Sequence, residues 1–233
     1  MRVHVAFTPV EAAAAPVAVV VDVVRATSTI CQALAAGTPR VLCCAEIDEA
    51  LALKAELGEG LTGGERNGVR IQGFDVGASP RDFVEPLGEP LILSTTNGTR
   101  AILSAAAQAD EVLIGSLLNL GAVASALRER NADVAIVCAG FKGAFALDDA
   151  YCAGRIVQQL DAERSDAALA AEVVARSFPD ALRGLNARTY GPPGLEADIE
   201  FCAQVSVLDV LPRFAGRVAT AAEIVAEHAA ALR

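Results

Sequence analysis

The sequence has no tryptophan, two tyrosines and a single methionine, and aromatic residues make up only 4% of its 233 positions. A core without large rings must be filled by Ala, Val and Leu. Hydrophobic residues, at 53%, supply enough of these for one large core or for a core with a small appendage. Positive charge is also scarce: 19 Lys and Arg stand against 29 Asp and Glu, a formal net charge of −10. Nucleic acid and anionic membranes require clustered Lys and Arg, so neither suits this chain as a partner. A small anion in a locally basic pocket is still allowed. Histidine is nearly missing, with His4 and His228 near the termini, no triad partner and no metal-ligand spacing.

Long apolar runs are missing as well. No uncharged stretch reaches the ~18 residues of a membrane span, and the start, MRVHVAFTPV, lacks the charged-then-apolar pattern of a signal peptide. Six cysteines, at 31, 43, 44, 138, 152 and 202, form no Cys-x-x-Cys pair, and several lie inside apolar runs. Buried free thiols in a reducing cytoplasm are favoured over disulfides or zinc.

What is present is one recurring pattern. A short apolar run leads into a small polar cluster and then a helical segment: VAVVVDVV into RATSTICQALAAG, LILS into TTNGTRAILSAAA, EVLIGS into LLNLGAVASALRER, and DVAIVCAG into FKGAFALDDAYCAGRIVQQL. Val- and Ile-rich runs alternating with helical periodicity predict βα units around a largely parallel or mixed central sheet with both faces covered. VHVAF, VLCCA and VSVLDVL are further strand candidates. Thr29 and Gln32 have capping-box spacing, Gly37 suits a helix end, and Ser79-Pro80-Arg81-Asp82 reads as another helix start. Residues 1–233 read as a single α/β domain in which 161–194, broken by Phe178-Pro179 and Gly191-Pro-Pro-Gly194, forms a helical lobe or flap.

The stretch VVVDVVRATSTI, Val19 to Ile30, places two charges at the end of a buried strand. Open parallel sheets bind ligands beyond the carboxyl ends of their strands. Asp22 and Arg25 would sit at such an end, with Thr27, Ser28 and Thr29 at a helix N-terminus receptive to an anion. Pairing of Asp22 with Arg25 explains the same spacing. Thr95-Thr96-Asn97-Gly98-Thr99-Arg100 repeats the arrangement, and Ser116 with Asn119, and Gly140 to Gly143, are weaker copies. Each alone is ordinary turn chemistry; converging on one sheet edge they form a candidate anion site.

Acidic residues recur at the same junctions: Asp22, Glu65 in GGERNG, Asp75 in GFDVGASP, and Asp148-Asp149. Carboxylates of this kind suit Mg²⁺, which takes one or two of them together with waters and phosphate oxygens. Arg66 and Arg70 offer basic counterparts. Other engines are excluded. Gly58 to Gly63 matches G-x-G-x-x-G but follows a helical segment instead of a strand, no Walker A motif exists, and no cysteine has an arginine six positions on. Asp22 lacks the second aspartate of a haloacid-dehalogenase phosphatase, because Val24 stands there. Metal-assisted, anion-directed chemistry such as phosphoryl transfer is what is left.

The words VDVVRATSTI, GGERNGVRIQGFDVGASP, STTNGTRA, IGSLLN and VCAGFKGAFALDDAYCAG, spanning Val19 to Gly154, closely resemble the 2-phosphosulfolactate phosphatase family, magnesium-dependent hydrolases of coenzyme M biosynthesis. The resemblance implies a three-layer α/β/α sandwich, a bound Mg²⁺ and hydrolysis of a phosphomonoester of a small sulfonated or carboxylated acid. One departure is Ala78, where such proteins often carry Asn. On this reading Asp22, Arg25 and Glu65 are catalytic, and Asp22, Glu65, Asp75 and Asp149 hold the metal. Thr27, Ser28, Arg66, Thr96, Asn97, Gly98, Thr99, Arg100, Ser116 and Asn119 hold the substrate. The attacking group is a water on the metal or Asp22 itself. A different phosphorylated acid, or non-catalytic binding of anionic metabolites, are the alternatives. An apolar, alanine-rich chain with few aromatics also suits a homodimer.

Overall fold

The computed structural model describes residues 1–12 and 14–227, so His228 lies outside the described residues. The apolar runs become strands: β1 (Arg2–Ala6), β2 (Ala15–Val21), β3 (Val41–Cys43), β4 (Leu61–Arg66), β5 (Val69–Arg70), β6 (Leu91–Ser94), β7 (Ala109–Gly115), β8 (Val134–Cys138) and β9 (Glu163–Arg164). A late hairpin adds β10 (Leu211–Val218) and β11 (Ala221–Glu227). The helices are α1 (Ala26–Ala35), α2 (Ile47–Leu57), α3 (Gly98–Ala105), α4 (Leu120–Arg130), α5 (Leu147–Val157), α6 (Asp166–Arg176), α7 (Ala181–Asn186) and α8 (Glu196–Cys202).

One mixed sheet runs β5-β4-β6-β3-β11-β10-β7-β2-β8-β1-β9. Strands β4, β6 and β3 form one parallel block, and β7, β2, β8, β1 and β9 another. The antiparallel hairpin β10–β11 joins them, so the blocks are formally opposed. Five inter-strand steps separate β6 from β2. At roughly 20–25° of twist per step the strand direction turns through more than ~100°, which brings the carboxyl ends of the two blocks towards one place.

Both faces of β2 are buried, as its unbroken valines require. Val19 and Val21 pack with Leu127 of α4, Ile156 of α5, Ala171 of α6 and Leu185 of α7. Ala18 and Val20 pack on the other face with Ile30 of α1 and Ile102 of α3. Helices cover both sides of the sheet, the α/β architecture expected. Small residues set the helix spacing: a Cβ on Gly154 would lie 2.0 Å from the Ala171 carbonyl oxygen, so only glycine lets α5 and α6 cross this closely. Within 161–194, α6 and α7 dock Ala168, Ala171, Ala175 and Leu185 into the core, and the chain beyond them crosses a cavity.

Three local expectations are corrected. Helix α1 starts at Ala26, so Thr29 lies inside it and donates its hydroxyl to the Ala78 carbonyl (2.8 Å) instead of capping. Ser79-Pro80 opens only a short 3-10 turn, Pro80–Phe83, and the Ser79 hydroxyl bonds Asp198. VSVLDVL lies outside the strands until Leu211, because the Ser206 and Leu208 amides bond the Leu117 and Leu118 carbonyls of a loop. Gly37 does follow α1, at φ +101°. Among the described residues no helix is long and apolar enough to cross a membrane.

Candidate functional site

Beyond Val21 the chain leaves the sheet and turns into α1, and the Val24–Arg25 bond within this turn is cis. The hydroxyls after the turn close it from behind. Thr27 Oγ1 donates to the Asp22 carbonyl (2.9 Å) and accepts from the Asp22 amide (3.1 Å), while Ser28 Oγ donates to the Val23 carbonyl (2.8 Å). Both side chains are buried. The small hydroxyl residues therefore fix the Asp22 backbone and do not face the cavity, contrary to the reading of them as substrate ligands. Asp22 Oδ1 accepts from the Ala26 amide (3.3 Å), and Oδ2 accepts no hydrogen bond among the described residues.

The opposite wall is built by β4 and by the turn from β6 into α3. Glu65 accepts from the Thr96 amide (2.7 Å) and the Gly68 amide (2.5 Å), which ties the two segments together. Thr99 bonds back to Thr95, and Asn97 Oδ1 accepts from the Lys142 amide (3.2 Å). A Cβ on Gly98 would lie 2.5 Å from Ala26 Cβ and 2.7 Å from Asp22 Oδ2. The missing side chain is what lets α3 begin against α1 and the Asp22 carboxylate.

A cavity of about 60 Å³ lies between these walls. Asp22, Arg25, Glu65, Thr96 and Asn97 line it, together with Ala78 and Thr95. Thr27, Ser28, Arg66, Gly98, Thr99, Arg100, Ser116, Asn119, Asp75 and Asp149 are not among its lining residues. Several have other partners. Asp75 accepts from Lys54 (2.6 Å) and from the Thr62 amide and hydroxyl (2.8 and 2.7 Å). Arg66 donates to the carbonyls of Glu65 and Ala45 and to the Ser94 hydroxyl. Arg100 pairs with Glu46 at the surface. Ser116 and Asn119 bond each other, and the Asn119 amide donates to the Ile114 and Val210 carbonyls, an internal brace. Among the described residues no three His, Cys, Asp or Glu side chains meet as a ready-made metal-ligand group, so the four-carboxylate set is not gathered at one point.

Carboxylates nevertheless crowd this region. Behind Asp22, Asp149 accepts from the Val23 amide (2.9 Å) and the Gly140 amide (3.0 Å), joining the ends of β2 and β8. Asp148 accepts from the Asp149 amide (3.0 Å) and from the Tyr190 hydroxyl. Burial, reinforced by the negative charges of Asp148 and Glu65, pushes the Asp22 carboxyl up to about 7, although the Ala26 amide and Arg25 oppose the shift. Burial and the neighbouring Asp148 and Asp22 hold Asp149 well above the usual carboxylate range. The cavity is short of positive charge. Arg25, its obvious counter-ion, is committed elsewhere: Nη1 donates to Asp198 (2.6 Å) and Nη2 to the Gly68 carbonyl (3.2 Å).

Two features escaped the sequence. The chain between α7 and α8 is a strap that lines one side of the cavity with Arg188, Tyr190, Gly191, Pro192 and Leu195. Tyr190 stacks on Phe141 at 4.5 Å between ring centroids, and a Cβ on Gly68 would lie 2.1 Å from Pro192 Cγ, so only glycine there admits the strap. The Gly191-Pro-Pro-Gly194 break signalled a flap, but nothing local marked Arg188 or Tyr190 as part of the site. Asp198 is the second: it accepts from Arg25, Arg81 (2.9 Å) and Ser79 (2.6 Å), with no motif around it. Burial opposes its ionisation, but these hydrogen bonds outweigh it and hold the carboxyl below the usual range.

The sequence pattern of the 2-phosphosulpholactate phosphatase family matches residues 5–217, a span that includes every residue lining the cavity. The chain belongs to that family. Its relatives include a probable 2-phosphosulfolactate phosphatase of Thermus thermophilus, 40% identical over 95% of this chain and 98% of the relative. Proteins with the same description occur in Carboxydothermus hydrogenoformans, 38% identical over 91% of this chain and 92% of the relative, and in Clostridium acetobutylicum, 40% identical over 84% and 88%. The family's match covers both parallel blocks and the strap, so it embraces the whole cavity.

Proposed function

We propose that this chain is a Mg²⁺-dependent phosphatase acting on the phosphomonoester of a small acid, with 2-phosphosulfolactate, the compound in its relatives' names, as the substrate. Water's oxygen joins phosphorus, the ester P–O bond breaks, and 3-sulfolactate leaves with the proton and the former bridging oxygen. The observation that carries the reading is Asp22, whose Oδ2 accepts no bond among the described residues, at the meeting of two helix starts and beside further carboxylates.

The charge balance supports a divalent cation. A phosphate dianion entering beside Asp22 and Glu65 would add negative charge to a cavity that already holds Asp22 partly protonated near neutral pH. Mg²⁺ typically takes one or two carboxylates and fills its other positions with water and phosphate oxygens. Asp22, with Glu65 on the facing wall, fits that mode, and an all-protein cage is not required. Bound there, the ion would supply Lewis-acid stabilisation of the phosphoryl oxygens.

The chain's own groups have separate tasks. Asp22, with its carboxyl near 7, can hold or release a proton at neutral pH. The start of α3, next to the lining residues Thr96 and Asn97, presents partial positive charge to a phosphate, while the first amides of α1 donate to Asp22. Glu65 anchors the Thr96 amide and so sets the second wall. The Tyr190–Phe141 stack and Pro192 cover one side of the cavity and reduce its contact with bulk water, which strengthens charge interactions inside. Six buried, unpaired cysteines suit a reducing cytoplasm.

The test is phosphate release from 2-phosphosulfolactate, 2-phospholactate and other phosphorylated acids, with Mg²⁺ and with EDTA. Metal-dependent release that is greatest on phosphosulfolactate is the expected result. Release unaffected by EDTA removes the metal from the reading, and binding of these acids without release makes the chain a binder.

A further inference from the structure

Arg188 is the one cation lining the cavity that has no ion-pair partner and no side-chain hydrogen bond among the described residues. Arg25, the other lining cation, is held by Asp198 and the Gly68 carbonyl. Arg66 and Arg100 point into other contacts. Lys142 is exposed, and its ammonium lies over Phe141 at 5.5 Å. The Arg188 charge acts on the nearby Asp148 carboxylate, but no hydrogen bond or ion pair joins the two, so an anion arriving in the cavity meets a guanidinium with free donors on the strap.

The strap on either side of Tyr190 is anchored, which sets where Arg188 leaves the backbone. Tyr190, two residues on, is fixed by its stack on Phe141 and its hydroxyl bond to Asp148. Pro192 is fixed against Gly68. Gly191 adopts φ +97°, a conformation that glycine takes at little cost, and a Cβ there would come within 3.0 Å of Arg188 Nη1. The missing side chain leaves the guanidinium its space. A half-buried arginine with a free fork suits a planar or tetrahedral oxyanion, which it can bind through two parallel N–H donors.

We infer that Arg188 is the specificity-determining residue of this site, pairing with the sulfonate, the group that distinguishes this substrate from other phosphorylated carboxylic acids, while the phosphate lies at Asp22 and the start of α3. This assignment rests on the phosphatase reading above. It makes the strap the part of the fold that separates a phosphoester carrying a carboxylate alone from one carrying both the carboxylate and a sulfonate. Phosphosulfolactate and 2-phospholactate differ in that one group.

The experiment measures kcat and KM of wild type, Arg188→Ala and Arg188→Lys on both esters. A lost charge-assisted bidentate contact corresponds to roughly 10- to 100-fold in affinity. Arg188→Ala is expected to raise KM for phosphosulfolactate by that factor, at least tenfold more than for phospholactate, with kcat for phosphosulfolactate changed much less. Lysine should restore part of the difference, as a charge without the fork. Equal losses on both esters, or no loss, overturn the assignment. Calorimetric titration with 3-sulfolactate and with lactate needs no hydrolysis. Wild-type preference for sulfolactate that disappears in Arg188→Ala supports the assignment even if neither ester is cleaved, in which case only the phosphatase reading fails. Absence of any wild-type preference for sulfolactate overturns the assignment whatever the turnover.

Discussion

Arg25 and Asp198 lie 173 residues apart in sequence and 2.6 Å apart in the fold, their side chains 10% and 5% exposed. The pair ties the turn after β2 to helix α8 and, through the Gly68 carbonyl, to the tip of the β4–β5 hairpin. Arg25, expected to be catalytic, lines the cavity with its guanidinium held as a strut of the wall.

Asp198→Ala should therefore behave as the loss of a strut. It leaves Arg25 buried without a counter-charge, and breaking a buried pair from one side costs about 3–5 kcal/mol. Urea unfolding should show the midpoint falling with an unchanged slope. A stability loss under about 1 kcal/mol, the level of an exposed pair, would contradict the burial argument.

Gly98→Ala probes the closest approach in the site. The new Cβ would stand 2.5 Å from Ala26 and 2.7 Å from Asp22 Oδ2, both below any tolerable contact. Overpacking of this kind costs about 1–3 kcal/mol, and displacing a reacting group by ~1 Å costs on the order of 100-fold in rate. The expected signature is a modest fall in Tm with a large fall in kcat/KM. Wild-type turnover in this variant would mean that the Asp22 carboxylate is not where the chemistry happens.

Two arginines that look alike in sequence should separate. Arg100 pairs with Glu46 where both side chains are more than half exposed, so Arg100→Ala should change stability by less than about 0.5 kcal/mol and leave KM unchanged. Arg66 donates to two carbonyls and to Ser94 beside Glu65, so Arg66→Ala should destabilise by about 1–3 kcal/mol and lower kcat through Glu65. Thermal melts and steady-state kinetics on both variants test this. A large KM effect in Arg100→Ala alone would return that residue to the binding site.

These arginines show what the sequence could and could not disclose. The valine run from Val17 to Val21 announced a strand buried on both faces, and the strand–polar–helix repeat placed Asp22, Thr96 and Asn97 near one another, since each follows a strand. Glu65 stood out only as an acid beside glycines, and no signal marked the strand β4 that carries it. Side-chain direction was not legible. Thr27 and Ser28 sit beside Asp22 in sequence yet face inwards, because a hydroxyl one turn into a helix can satisfy the carbonyls behind it. Asp75 carries the same signals as Glu65, but Lys54 and Thr62 reach it first and hold its carboxyl at about 2. Asp198 enters through contacts with residues more than a hundred positions away, and Arg188 enters because the strap crosses the cavity, neither of which a local pattern encodes.

The cysteines offer a test independent of catalysis. All six are unpaired and buried, and burial pushes Cys31 and Cys202 up to about 12. The thiolate is the reactive form, so Ellman's reagent should find no fast-reacting thiol in the native protein and six in guanidinium. Fast equivalents before unfolding would contradict the packing of α1, where Cys31 sits, or of α8, where Cys202 sits.

The crowded carboxylates fix the sign of the pH response. Asp22 rises from 3.8 to about 7 on folding, chiefly through burial and then through the charges of Asp148 and Glu65. A raised carboxyl binds its proton more tightly in the folded state, so its favourable contribution is full below about 3.8 and is lost as pH rises to about 7. Asp149 shifts in the same direction. Above 7 the folded chain carries an uncompensated negative charge that a divalent cation would relieve by binding the native state. Added Mg²⁺ should therefore raise Tm more at pH 8 than at pH 5.5, and Asp22→Asn should remove most of the difference. The same variant should be more stable than wild type at pH 8 without metal, since it deletes the buried charge. A Tm rise of equal size at both pH values, or one that survives Asp22→Asn, would place the cation away from this carboxylate.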